Sequence, residues 1–162
     1  MHAGAWMRAN LTSQGYRLSD DERRALALGL RFSTGLCLLF VTVALALESS
    51  LMLFSRSAIG VVASVSARHP FDQLWNHAVR RILDAPALPP NPARRRDAFR
   101  LATVWLLVVG GLIAAGATTA ALVLGGMLVA VCAVVTTTNL CLPSETFAWW
   151  ARRCARKQRA VI

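Results

Sequence analysis

Arg56 stands inside the apolar run LMLFSRSAIGVVASVSA (51–67), and Glu48 lies just before that run. A charge within a membrane span costs about 2.5–3.5 kcal/mol on insertion scales, which makes such a residue a functional candidate. Glu48 and Arg56 are expected to form an intramembrane charge pair beside an outer turn, with the long arginine stem letting its head reach outward. A proton or ion relay normally uses several such groups, and this chain offers essentially one. A small transporter or channel built on Arg56 and Glu48 therefore ranks below the other functions. A second candidate group is His69, Asp72, Asn76 and His77, with Asn139, Cys141 and Ser144 much later in the chain. If the apolar runs before His69 and Asn139 end on the same side of a membrane, these residues meet at one depth. Cys141 beside His69 and a cationic surface could react as a thiolate, and a Cys/His/Asp set could hold a metal. The competing expectation gives Asn139 and Ser144 to helix ends and Cys141 to packing as a small hydrophobe.

Composition says where these groups must sit. The 162 residues are 56% hydrophobic, with a mean hydropathy of +0.48, too apolar for an ordinary soluble domain. Net charge is +10, from 18 Lys+Arg against 8 Asp+Glu. Such an excess in a soluble protein would suggest nucleic acid, but here the arginines flank apolar runs, so nucleic acid is not an expected partner. Lys157 is the sole lysine, and the Arg, Ala, Leu and Val bias suggests a GC-rich bacterial genome. The cysteines Cys37, Cys132, Cys141 and Cys154 show neither CxxC nor Cys/His metal spacing. Neither a metal site nor a structural disulfide is expected, and no motif names a cofactor. Residues 1–28 do not read as a signal peptide.

The apolar runs predict an all-α membrane protein of four transmembrane helices in two hairpins. The spans fall near 30–47, 51–67, 100–116 and 120–139. Ser19 and Glu22 have capping-box spacing, so the first helix is expected to begin near Asp20. Residues 101–138 as one helix would run roughly 57 Å, far beyond a bilayer core of about 30 Å, so the chain must turn at Gly116–Thr119. Arg56, Gly60, Ser64 and Ala67 share one helical face, which is expected to pack inward. Ala121-xxx-Gly125 and Gly126-xxx-Ala130 have the small-xxx-small spacing of close helix contacts. Residues 1–19 form a polar tail, 20–150 the membrane domain and 151–162 a basic tail.

Between the hairpins, in the loop 68–99, Phe71, Leu74, Trp75, Ala78, Val79, Ile82 and Leu83 follow helical spacing. They predict an amphipathic helix flat in the inner interface, with Asp72, Asn76, His77, Arg80 and Arg81 on its wet face. Pro86, Pro89, Pro90 and Pro92 then stiffen the loop. Arg80, Arg81, Arg94, Arg95, Arg96, Arg152 and Arg153 are expected at anionic headgroups. If 51–67 crosses the bilayer, every arginine-rich region falls on one side, and the positive-inside rule makes that side the cytoplasm for both termini and the loop.

The segments RHPFDQLWNHAVRRIL, LPPNPARRR, AFRLATVWLL and NLCLPSETF together resemble the domain-of-unknown-function 4395 family over roughly residues 25–150. The resemblance implies a small bacterial inner-membrane protein with four spans and carries no settled activity. Other members often close the last span with two nearby cysteines. This chain has Cys141 alone, which weakens a dithiol mechanism. The preferred expectation is a non-enzymatic scaffold or accessory subunit presenting a basic cytoplasmic face to anionic lipid, a protein partner or a second copy of itself. The alternative is a thiol-dependent sulfur, redox or metal-handling protein using Cys141 near His69.

Overall fold

The structure, a computed structural model, describes residues 10–12, 14–140, 146, 149 and 153. Cys141 and Ser144 lie outside the described residues, as does Arg152. The described elements are helical: α1 (Asp20–Ala46), α2 (Ser50–Val65), α3 (Pro70–Ile82), α4 (Ala93–Ala114) and α5 (Thr118–Thr138). α1 opens on the expected capping box, the Ser19 side chain accepting from the Glu22 N–H and Glu22 accepting from the Ser19 N–H. The turn between α4 and α5 falls at Ala115–Ala117, where Gly116 has a φ of +76°. A side chain there would be strained, so glycine suits the position.

α1, α4 and α5 are each long and apolar enough to cross a membrane. α2, at 16 residues, spans only about 24 Å at 1.5 Å per residue. It meets α3 at a bend of 82°. The helices pack as a ring, α2 against α4, α1 against α5, and each hairpin within itself. Val41, Ala44, Leu45, Leu53, Leu106, Val109, Ala121 and Leu128 fill the middle of this ring.

Small residues let the two hairpins approach. Gly60 and Ser64 are buried as the spacing predicts, while Ala67 is exposed. A Cβ on Gly60 would overlap Thr103 Oγ1 on α4, and one on Gly125 would sit 2.5 Å from Leu45 Cδ2 on α1. Gly126, by contrast, faces open space, so of the two small-residue pairs on α5 the one containing Gly125 makes the contact. Gly60→Ala is expected to cost about 1–3 kcal/mol, the usual penalty for overfilling a packed contact. A thermal melt in detergent checks this, and Thr103→Ala, which removes the opposing oxygen, should recover part of the loss.

The end of the bundle where α1 and α4 begin departs from the expected plan in two places. Within the expected polar tail, the described Leu11 and Tyr16 are buried beside Leu26, Leu30, Trp75 and Leu88. Asn10 Nδ2 donates to Thr138 O and Gln14 Nε2 to Asn139 O, closing the carbonyl end of α5. Helix C-termini leave carbonyls in need of such donors. α3 is also rotated from the face its periodicity predicts. It buries Asp72, Trp75 and Asn76 and leaves Leu74, Ala78, Ile82 and Leu83 exposed. The reason is that the proline-rich loop needs polar partners. Asn76 Nδ2 donates to Leu88 O while Asn76 Oδ1 accepts from Leu88 N, and Trp75 Nε1 donates to Pro86 O. The middle turn of α3, Trp75–Val79, is a π-helix, a feature that shifts later side chains around the axis.

Candidate functional site

Arg56 is the centre of the site, and it does not pair with Glu48. Glu48 is exposed in the turn between α1 and α2, with a φ of +46°. Arg56 is buried on the face of α2 that carries Leu53, Ser57 and Gly60. Its Nη2 donates to Cys37 Sγ on α1. Its guanidinium carbon lies 5.5 Å from the centre of the Phe71 ring. Both partners lie away from the Glu48 turn, so the side chain runs toward the end where α2 finishes, where the sequence suggested a reach toward that turn. Burial of its helix face, together with a thiol and an aromatic ring below, explains the direction.

His69 is buried at the start of α3, where its Nδ1 accepts from the Phe71 N–H at 3.1 Å. That acceptor role places the proton of the neutral ring on Nε2. Nε2 lies 4.0 Å from Cys37 Sγ, so Arg56 and His69 both face one sulfur. Phe71 and Phe99 flank the imidazole, with ring centroids 5.2 and 5.0 Å away. Burial first, and the nearby Arg56 charge second, push its pKa down from 6.5 to about 4.

This depression makes stability pH-dependent. The unfolded chain takes up a proton on His69 as pH falls below 6.5, whereas the folded chain resists until about 4. Stability is therefore full above pH 6.5 and is lost as pH falls through that window, by about 3 kcal/mol at most. His69→Asn keeps a side-chain acceptor for the helix start and removes the titration. Its melting temperature is expected to fall less than that of the unmodified protein between pH 7 and 4.5.

A chain of hydrogen bonds links His69 to the start of α4 and the proline-rich loop. Asp72 Oδ2 accepts from the His69 N–H at 3.3 Å and from Asn91 Nδ2 at 2.6 Å. Asn91 Oδ1 accepts from the Tyr16 hydroxyl at 2.9 Å, and that hydroxyl oxygen accepts from Arg95 Nη1 at 2.7 Å. Burial holds the Tyr16 phenol above its ordinary pKa of 10, more than Arg95 draws it down. It therefore stays a neutral donor and acceptor.

Of the described members of the expected cluster, only some come together. His69 and Asp72 share this network. Asn76 binds the loop backbone on another side of α3, and His77 is exposed, bonded to Gln73 O. Asn139 ends α5 in a left-handed conformation, with a φ of +55°, and serves Gln14. Arg95, expected among the headgroup arginines, is not exposed. It is buried between the Tyr16 and Phe99 rings, 5.5 and 5.7 Å from their centres. Arg81 and Arg94 are exposed, Arg80 and Arg96 half-buried, and Arg153 lies over the Trp149 ring at 4.1 Å. Among the described residues, no group of three His, Cys, Asp or Glu side chains is placed to hold a metal ion. Tyr16, Cys37 and Asn91 are participants the sequence did not single out. Tyr16 is the sole tyrosine in the chain and Asn91 the sole non-proline in PPNP, and these are the signals that were available.

A family model for a domain of unknown function, DUF4395, matches residues 27–152. The chain belongs to the DUF4395 family. The match covers α1 from residue 27 onward, the whole of α2, α3, α4 and α5, and the proline-rich loop, so the DUF4395 region contains Cys37, Arg56, His69, Asp72, Asn91 and Arg95 and stops short of Tyr16 on the N-terminal side. No curated protein and no solved structure matches the chain.

Proposed function

We propose that this DUF4395 protein is a four-span protein of a bacterial inner membrane. It acts as a non-enzymatic accessory subunit that grips anionic lipid, and through it a partner, with its cytoplasmic end. One observation carries this reading. The exposed arginines Arg17, Arg24, Arg68, Arg81, Arg94 and Arg100 gather at the end where α1 and α4 begin and α2 and α5 finish. The opposite end, Leu47–Ser49 and Ala115–Ala117, carries Glu48 as its charged residue. That asymmetry is the positive-inside pattern for a protein with both termini in the cytoplasm. Each exposed arginine adds on the order of 1 kcal/mol of attraction to an anionic surface. α2 completes the fourth span. α3, bent away from it by 82°, lies along the inner interface with Leu74, Ala78, Ile82 and Leu83 toward the acyl chains and Trp75 toward the bundle.

Side-specific labelling tests the topology. Cysteines introduced by Ala85→Cys and Thr118→Cys in a background lacking the native cysteines are expected to label from opposite faces of the membrane. Labelling from one face overturns four spans. Native mass spectrometry tests the lipid grip. The protein is expected to retain phosphatidylglycerol over phosphatidylcholine, and Arg81→Gln with Arg94→Gln to reduce that preference. Equal retention of both lipids overturns it.

The thiol-dependent reading moves to a different residue. Cys37 has Arg56 and His69 beside its sulfur, while Cys141 lies outside the described residues. Its rate of alkylation, compared with that of Cys132, tests whether the sulfur is reactive.

A further inference from the structure

Between α1, α2, α4 and α5 the helices leave a cavity of about 110 Å³. Its wall is almost wholly apolar, built chiefly by Ala98, Leu101 and Trp105 of α4 and Leu128, Val131 and Val135 of α5. Arg56 and Arg95 border it, but Arg56 turns its Nη2 to Cys37 and Arg95 its Nη1 to Tyr16. The cavity is partly open, and Leu101 on its wall is 43% exposed. Water fills such a space poorly, because a held water needs about two to four polar partners. Left empty, the space deprives the wall atoms of contacts on one side. An apolar cavity of about 150 Å³ is known to stay dry and to accept benzene, so a run of methylenes suits this one.

We infer that this cavity seats one acyl chain of an anionic phospholipid. The occupant follows from the setting of the wall. α4 and α5 are long and apolar enough to cross a membrane, so a partly open space beside Leu101 meets lipid chains there. Arg94, Ala98, Leu101 and Trp105 fall on one stripe of α4, at i, i+4, i+7 and i+11. Arg94 is exposed and precedes Ala98 by about 6 Å and Leu101 by about 10 Å along the axis. A phospholipid has the same layout, a phosphate at the surface with its chains beginning a little deeper. A phosphate held at Arg94 therefore brings a chain to Leu101, where the cavity is open. A free anion or a polar solute would lose hydration against this wall and gain no partner from it. The inference rests on the lipid grip proposed above and gives it a fixed seat. Exposed arginines alone attract any anionic lipid, whereas the cavity retains a single chain.

The probe is phosphatidylglycerol carrying a diazirine on one acyl chain, titrated into phosphatidylcholine nanodiscs that hold the full chain. After photolysis, adducts are mapped by mass spectrometry. Leu128 is 4% exposed and lines the cavity, whereas Val104 and Val108 are exposed on α4 and do not line it. Adducts at Leu128 are expected to saturate as the probe fraction rises, while those at Val104 and Val108, made by surrounding lipid, rise in proportion. Ala102 also lines the space, so Ala102→Phe fills it and is expected to lower the Leu128 yield by roughly tenfold with Val104 unchanged. No adduct at Leu128, or a Leu128 yield that follows Val104 through the titration or in the variant, overturns the seat. If Ala102→Phe does not fold, the titration of the unmodified protein decides alone. The seat and the lipid grip fail separately. A saturating Leu128 adduct of equal yield from a phosphatidylcholine probe keeps the chain seat and overturns the part given to Arg94. Preferential retention of phosphatidylglycerol without a Leu128 adduct keeps the grip and overturns the seat.

Discussion

Trp75→Ala is expected to destabilise the protein by about 3–5 kcal/mol, the range for truncating a fully buried large aromatic side chain. Trp75 is 1% exposed. Its ring lies so close to α1 that a Cβ on Gly29 would sit 2.8 Å from Cε2, and Phe32 packs against it at 5.3 Å between centroids. Its Nε1 donates to Pro86 O at 3.2 Å. The indole thus fastens α1, α3 and the proline-rich loop together. Trp75→Phe keeps much of the ring but orphans the Pro86 carbonyl, so an intermediate loss is expected. The checks are the melting temperature in detergent, expected to fall in the order Phe then Ala, and the protease sensitivity of residues 84–92, expected to rise in the same order. A loss below about 1 kcal/mol for Trp75→Ala, the scale of a surface change, would show that the loop is held elsewhere.

Much of the architecture is local and could be read directly. Ser19 and Glu22 announce the start of α1, Gly116 the turn between α4 and α5, and Pro70 the first turn of α3. Each depends on neighbours within a few residues, where sequence is informative. The face α3 buries was not legible. Hydrophobic periodicity ranks side chains by greasiness, and it placed Asp72 and Asn76 in water. Their true partners are loop groups at Asn91 and Leu88, 19 and 12 residues away. In a membrane setting the usual logic also weakens, because apolar side chains such as Leu74 and Ile82 can face lipid while polar ones satisfy each other inside.

The site shows the same division. Arg56 was legible as an anomaly, a charge within an apolar run, but its direction depended on whether Cys37 or Glu48 lay within reach. That is a question of helix register across an interface. Arg95 could have been found. It lies on one helical stripe with Ala98, Ala102, Leu106 and Val109, and Ala98, Leu106 and Val109 are buried. Its membership of the Arg94–Arg96 run read as a solvated cluster and hid that stripe. Tyr16 could not be placed, since its partners Asn91 and Arg95 are 75 and 79 residues away.

Asp72→Ala is expected to cost about 3–5 kcal/mol, the loss seen when one member of a buried charged network is removed. The carboxylate is 3% exposed and accepts from the His69 N–H and Asn91 Nδ2. Without it, Asn91 keeps its Nδ2 buried and unbound. Asn91 also donates its backbone N–H to Ala67 O and accepts from Tyr16, so a shift there carries to the end of α2 and to Arg95. Asp72→Asn retains the shape but sets an amide beside the Asn91 amide and removes the negative charge near Arg56, so a smaller loss is expected. A double-mutant cycle decides whether this is a network. Asp72→Ala and Asn91→Ala together should cost less than the sum of the two alone by about 1 kcal/mol or more. Strict additivity would mean the two side chains act independently, each merely filling its own space. Sub-additivity would locate the coupling in the bond between them, which ties the proline-rich loop to the start of α3.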